Sequence, residues 1–312
     1  MKDVRRGDSP RHRPRYAAAA ARRTRSSSAA PTRSETEKVV IPHGPSPRRT
    51  TATTLGAANE DAALGESVDA DGVTEDRLTG GRNTAEVVRI RDTVRRSRGA
   101  GASFAAQVLA VLESVGYPYS PRHLGIDDHD RDVLSYIPGR TTDHPSQRRR
   151  DAYAVGGRML RELHDATSGH VLAADQECVI HGDPGPFNTI FRDGRPVAFI
   201  DWDSCRPGKR PEDLAYMAWT WCIQSAGHVP VGQQAVRLRR LRDGYGCAET
   251  DSLLDMMTVR QSQIVEREAA NARNSVLHPV RRRHAEEAIV WATNDRDLLR
   301  RCRPIFLKEL LR

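Results

Sequence analysis

Asp183, Asn188 and Asp201 are the residues of this chain whose types and spacing could do chemistry. They lie in two short runs, His181-Gly182-Asp183-Pro184-Gly185-Pro186-Phe187-Asn188 and Ile200-Asp201-Trp202-Asp203. A carboxylate on a loop can orient a hydroxyl and accept its proton. An amide and a second carboxylate, the latter at the end of an apolar strand, can hold a Mg2+ ion against nucleotide phosphates. Either run alone is as consistent with a polar turn before a surface hairpin. Together, at this spacing, they point to Mg-dependent phosphoryl transfer.

The elements around them must bring the three together. Val179-Ile180 is a short apolar run that delivers His181 and Asp183 to its end. Pro184, Gly185 and Pro186 disfavour a helix between Asp183 and Asn188, so both are expected on one irregular loop. Thr189-Ile190-Phe191 and Pro196-Val197-Ala198-Phe199-Ile200 read as strands joined at Arg192-Asp193-Gly194-Arg195, whose Asp-Gly is a hairpin signal. A hairpin returns the chain to its start, which would set Asp201 beside Asn188.

With Glu212-Asp213-Leu214-Ala215-Tyr216 following, residues 178–219 resemble the aminoglycoside phosphotransferase and choline kinase-like family, relatives of the protein kinases. That family has His-Gly-Asp with Asn five positions on, a metal-binding strand ending in Ile-Asp-Trp/Phe-Asp/Glu, and a later Asp-Leu-Ala. The resemblance implies an α+β, two-lobe protein-kinase-like fold with a small antiparallel β-sheet N-lobe and a mostly helical C-lobe. It implies a nucleotide-binding N-lobe and hinge over 77–139 and a C-lobe with catalytic loop and acceptor site over 140–312. It makes Asp183 the catalytic base and Asn188 and Asp201 the Mg2+ ligands. His181 would shape the loop, Asp203 assist the metal site and Asp213 anchor the following segment. The implied cofactors are ATP or another nucleoside triphosphate and Mg2+. The implied partner is a small hydroxylated acceptor, such as an aminoglycoside or amino alcohol.

The resemblance is looser over 77–177. Leu78-Thr79-Gly80-Gly81-Arg82-Asn83-Thr84 reads as a turn before a tight hairpin, Val87–Ile90 and Thr93–Arg96. Backbone N–H groups at such a turn can cover phosphates, and family members carry a similar Gly-Gly-x-Asn, so Gly80, Gly81 and Asn83 become nucleotide candidates. Kinases place a lysine on the third strand and pair it with a helix glutamate, but no lysine occurs between Lys38 and Lys209. Arg95 is the expected substitute, with Arg96 next, since a guanidinium can also serve phosphate. Helix Phe104–Val115 offers no suitable glutamate, and Gln107 is its nearest polar stand-in. Asp132–Gly139 reads as a strand stopped by Pro-Gly and resembles the hinge, where main-chain atoms of Ser135, Tyr136 and Ile137 would meet adenine. Ala152 to His164 reads as a helix resembling the one beneath the catalytic loop, with His164 structural.

Composition bounds the remainder. Four lysines among 49 basic residues make the chain arginine-rich, and the net charge is +8. Residues 1–50 hold 13 Lys/Arg against 4 Asp/Glu, leaving the rest close to neutral. Nucleic-acid binding is therefore not implied, except through this tail. Residues 1–76 are poor in large apolar residues and are expected to be a disordered basic extension. A nucleic-acid or membrane-surface arm, a transit peptide and an extension without function are its competing readings. No run reaches the ~20 apolar residues of a membrane span. Five cysteines without zinc spacing fit small buried hydrophobes in a reducing, cytoplasmic setting. Beyond Ala218, helices are expected at 219–224, 235–245, 252–270 and 285–299. Arg237, Arg239, Arg240 and Arg242 alternate there with acids and show no acidic surplus for a cationic acceptor. Neither acceptor nor oligomeric state is readable. Two readings of other classes stand beside the enzyme: a pseudo-kinase that binds nucleotide without turnover, and a nucleic-acid-associated protein acting through its tail. A protein kinase is nearer but lacks Phe-Gly after Asp201.

Overall fold

The structure is a computed structural model that describes residues 66–68, 74–78, 87–142, 144–246 and 250–312. Gly80, Gly81, Asn83, Cys247 and most of the expected extension lie outside the described residues. Part of that extension is strand, contrary to expectation: β1 (Glu66–Val68) and β2 (Thr74–Arg77) pair antiparallel. Short polar strands lack apolar alternation, so composition hid them.

β2 pairs with β3 (Val87–Ile90), and β3 with β4 (Thr93–Ser97) across the Arg91-Asp92 turn. Helix α1 (Ala102–Ser114) follows, then β5 (His123–Ile126) and β6 (Arg131–Ser135), giving the antiparallel order β1-β2-β3-β4-β6-β5. Ala102, Ala105, Val108, Leu109 and Leu112 of α1 are buried at helical spacing, a single apolar stripe of the kind that docks a helix.

The helical lobe begins with α2 (Ala152–Thr167). Two small antiparallel pairs then precede α3. In one, β7 (Cys178–Ile180) pairs with β10 (Arg206–Gly208); in the other, β8 (Thr189–Arg192) pairs with β9 (Arg195–Phe199). Helix α3 (Arg210–Cys222) is buried at every position from Asp213 to Cys222 and forms the centre of the core, with Trp219, Trp221, Tyr153 and Phe199 fully enclosed. It starts nine residues before the expected Trp219: Pro211 suits a first turn, and the Glu212 carboxylate caps the Lys209 N–H at 3.0 Å. Helices α4 (Val231–Tyr245), α5 (Thr250–Arg273), α6 (Pro279–Arg301) and the unanticipated α7 (Arg303–Leu310) complete the lobe. Cys178, Cys205 and Cys222 are free and buried, and burial pushes each thiol up to about 12. No helix of the described residues is long and apolar enough to cross a membrane.

Candidate active site

Strand β7 ends at the loop His181–Asn188, which is tied down from below. The His181 and Gly182 N–H groups donate to the two Asp213 carboxylate oxygens at 2.6 and 2.8 Å. His164 Nε2 donates to Asp213 at 3.3 Å, and its Nδ1 meets the Tyr245 hydroxyl at 2.7 Å. Burial alone would raise the Asp213 pKa. The hydrogen bond and charge of His164, the pull of His181 and the Gly182 N–H outweigh burial and hold it below the ordinary carboxylate range. Asp213 also sits in the first turn of α3, where a negative charge suits the helix dipole.

His181 stitches the loop to the strand opposite. Its Nδ1 accepts from the Asp183 N–H at 3.3 Å and its Nε2 donates to Ile200 O at 3.1 Å. The ring packs 4.7 Å from Trp202, centroid to centroid. Pro186–Asn188 forms one 3-10 turn, not a wholly irregular loop, because Pro186 is set for a first helical position and Asn188 N closes on Gly185 O at 3.0 Å. Asn188 is 8% exposed. Its side-chain Nδ2 donates to Asp183 O at 3.1 Å, and its main-chain carbonyl accepts from Ile200 N at 2.9 Å. That last bond closes the hairpin and brings Asp201 next to Asn188.

Asp183 Oδ1 is buried and has no hydrogen-bond partner among the described residues. Burial raises the Asp183 pKa, with the charge of Asp201 adding to it. The Tyr216 hydroxyl and the charges of His181 and Arg267 pull the other way without cancelling the rise. Asp201 takes the left-handed conformation at φ 63°, ψ 63°, a backbone strain of about 1–3 kcal/mol that concentrates at functional sites. Two glycines make room for its turn. A Cβ on Gly182, which has φ +84°, would lie 2.3 Å from Ser204 O, and one on Gly101 would lie 2.5 Å from Asp203 O.

The small lobe contributes Arg96. Its guanidinium donates to Asp201 Oδ1 at 3.1 Å and to Asp203 Oδ2. The expected Arg95 is not the residue that reaches this site. Neighbours on a strand face opposite ways, and Arg95 points to Asp127, 3.5 Å away. Gln107 does not stand in for the helix glutamate either, since its amide donates to Ser103 O at 3.2 Å. The counter-charge to Arg96 comes instead from Asp201 and Asp203.

The model of the phosphotransferase enzyme family matches residues 88–249, which hold Arg96, His164, Asp183, Asn188, Asp201 and Asp213. The chain belongs to that family. Among curated proteins, the trifolitoxin immunity protein of Rhizobium leguminosarum bv. trifolii is 33% identical over 192 residues, covering 54% of this chain and 73% of that protein. Among solved structures, a choline/ethanolamine kinase family protein from Mesorhizobium loti aligns with a TM-score of 0.51 at 19% identity, over 76% of this chain and 91% of the other. Choline kinase from Cryptosporidium parvum Iowa II aligns at 0.50 and 8% identity, over 78% and 95%. The two-lobe, kinase-like fold is thus shared.

Within this phosphotransferase family member, the donor chemistry suits a Mg2+ ion. Among the described residues no three His, Cys, Asp or Glu side chains form a metal cage. Asn188 and Asp201 are a pair of hard oxygen donors, and Mg2+ is commonly held by one or two protein groups plus substrate phosphates. The Asn188 amide nitrogen is occupied by Asp183 O, which leaves its oxygen for a cation.

At the expected hinge two of the main-chain donors are taken. Ser135 N donates to Arg122 O at 2.9 Å and Tyr136 N to Asp92 O at 2.8 Å, so those two N–H groups are committed to the sheet. Ile137 keeps its place as a main-chain candidate. Three side chains were assigned no role at the site from sequence: Tyr216, and Arg260 and Arg267 of α5. Tyr216 had a usable signal, as it closes the Asp213-Leu214-Ala215 run. The α5 arginines had none, since they lie more than seventy residues from Asp183.

Proposed function

We propose that this chain is an ATP- and Mg-dependent kinase of a small molecule, transferring the γ-phosphate to a hydroxyl group. The observation that carries the proposal is Asp183 Oδ1, a buried carboxylate oxygen without a hydrogen-bond partner among the described residues, on the same loop as Asn188. The acceptor hydroxyl would donate its hydrogen bond there. The acceptor oxygen bonds to the γ-phosphorus, the bond from that phosphorus to the β–γ bridging oxygen breaks, ADP departs, and the hydroxyl proton passes to Asp183. A Mg2+ ion held by Asn188 and Asp201 would neutralise charge on the phosphates.

The protein's own work is positioning and charge. Asp213 and His181 fix the loop so that Asp183 needs no reorganisation at the moment of transfer. Arg96 adds a cation on the small-lobe side, where it can exchange its carboxylate partners for phosphate oxygens. The Ile137 main chain and a glycine turn at Gly80, Gly81 and Asn83 complete the nucleotide site in this reading. An immunity role, as in the name of the Rhizobium relative, is one setting such a transfer could serve, by modifying a toxic compound.

Asp183→Asn is the test. Transfer of γ-phosphate from labelled ATP should fall by at least ~10²-fold, while MgATP binding by calorimetry persists. Full turnover in the variant would remove Asp183 from its role. MgATP binding by the wild type with no turnover over a broad acceptor panel would instead favour a nucleotide-binding regulatory module.

A further inference from the structure

Helix α5 brings arginine to the catalytic loop. Helix α5 crosses the catalytic loop, and Arg260 Nη2 donates to Gly182 O at 3.3 Å while its guanidinium lies 5.5 Å from the Tyr216 ring centroid. Arg260 Nε is buried without a hydrogen-bond partner, and the two oxygens its Nη atoms donate to, Gly182 O and Gln263 Oε1, are both neutral. Arg267 lies two turns along the same helix face and its side chain is 62% exposed. Its charge reaches both Asp183 and Tyr216. Arg267 pairs with Glu268, which is buried and shared between Arg267 at 2.9 Å and Arg281 at 3.3 Å. Asn271 donates to it as well. Two guanidinium groups thus divide one carboxylate, and Arg260 adds a third cation. Arg206 adds further positive charge from β10, itself paired with Glu212 at 2.8 Å.

A cationic acceptor placed over Asp183 would face Arg260 and Arg267, whose neighbouring acid Glu268 is already divided between Arg267 and Arg281, and like charges brought together are a strong filter against a ligand. A carboxylate or phosphate group would meet two arginine forks suited to it. We propose that the acceptor is an anionic hydroxyl compound, its oxyanion held by Arg260 and Arg267 while its hydroxyl meets Asp183. The proposal rests on the kinase reading above and narrows its substrate class away from aminoglycosides and choline-like amino alcohols.

Small-molecule extracts of cells and spent medium, separated on anion and cation exchangers, are incubated with the full chain, Mg2+ and γ-labelled ATP. Label is expected to move to compounds of the anion-exchanger fraction, and phosphatase pretreatment of that fraction separates phosphate-bearing acceptors from carboxylates. Transfer confined to the cation-exchanger or neutral fraction overturns the proposal and leaves the kinase reading intact. Transfer to no fraction removes the kinase reading itself. With the labelled acceptor purified, Arg267→Gln should raise its KM about 10-fold with no matching rise in the KM for ATP, and Arg267→Lys should recover part of the loss. An acceptor KM unchanged in Arg267→Gln also overturns the proposal.

Discussion

Asp213→Asn tests the idea that one buried carboxylate holds the catalytic loop. Asp213 receives the His181 and Gly182 N–H groups at 2.6 and 2.8 Å and His164 at 3.3 Å, at 1% exposure. Asparagine keeps one acceptor oxygen and turns an NH2 group toward the other N–H. One hydrogen bond to a charged acceptor is lost, about 1.5–3 kcal/mol, and one buried donor is orphaned, about 1–3 kcal/mol. The expected destabilisation is about 3–5 kcal/mol, the range for breaking a buried pair. Urea unfolding followed by tryptophan fluorescence measures it, since Trp219 and Trp221 are fully buried. The pH dependence adds a second check. The folded pKa is lowered, so this stabilisation is present above the unfolded carboxylate value and is lost only as pH falls through the folded one. The wild-type-to-variant difference should therefore stay constant from about pH 7 to about pH 5. A difference below about 1 kcal/mol, or one that already fades across that interval, would refute the reasoning.

Other expectations concern the groups around it. Asp183→Asn should unfold at a higher temperature than wild type while inactive: a raised folded pKa means the ionised form costs stability at neutral pH, and removing such functional strain is commonly worth ~0.5–2 kcal/mol. That gain should shrink as pH falls and wild-type Asp183 protonates, which scanning calorimetry at stepped pH would show. The same raised pKa places the acid limb of kcat/KM above the ordinary carboxylate value of about 4; a limb at or below that value contradicts the burial argument. Arg96→Met should lower kcat/KM for ATP on the order of 10²-fold yet cost less than about 1 kcal/mol of stability, because its carboxylate partners are 44% and 40% exposed. Arg96→Lys should recover only part, since an ammonium cannot span both Asp201 and Asp203; full recovery would show that the fork is not needed.

The catalytic half of the site was legible because its parts are local. His181 to Asn188 is one loop, and an Asp-Gly hairpin signal suffices to fold Asp201 back beside it. What sequence blurred was facing. Arg96 and its i−2 neighbour Val94 share the side of β4 on which Leu134 packs against the core, and Arg95 lies on the other, a parity that becomes firm only once β4 pairs with β6 as Val94↔Leu134 and Arg96↔Asp132. The hinge was blurred for a related reason: whether the Ser135 and Tyr136 N–H groups are free depends on Arg122 and Asp92, which sheet pairing brings to them. Arg260 and Arg267 lay beyond any motif, because their nearness to Asp183 is a product of helix packing across the lobe.

The two glycine contacts at the turn after Asp201 carry a mechanical consequence. Gly101 heads the small-lobe helix and Gly182 belongs to the large-lobe loop, yet each abuts main-chain oxygen of the same turn, at Asp203 and Ser204. At this turn the small-lobe helix and the large-lobe loop therefore meet on bare backbone. A side chain at either glycine would act as a wedge against the turn that follows Asp201.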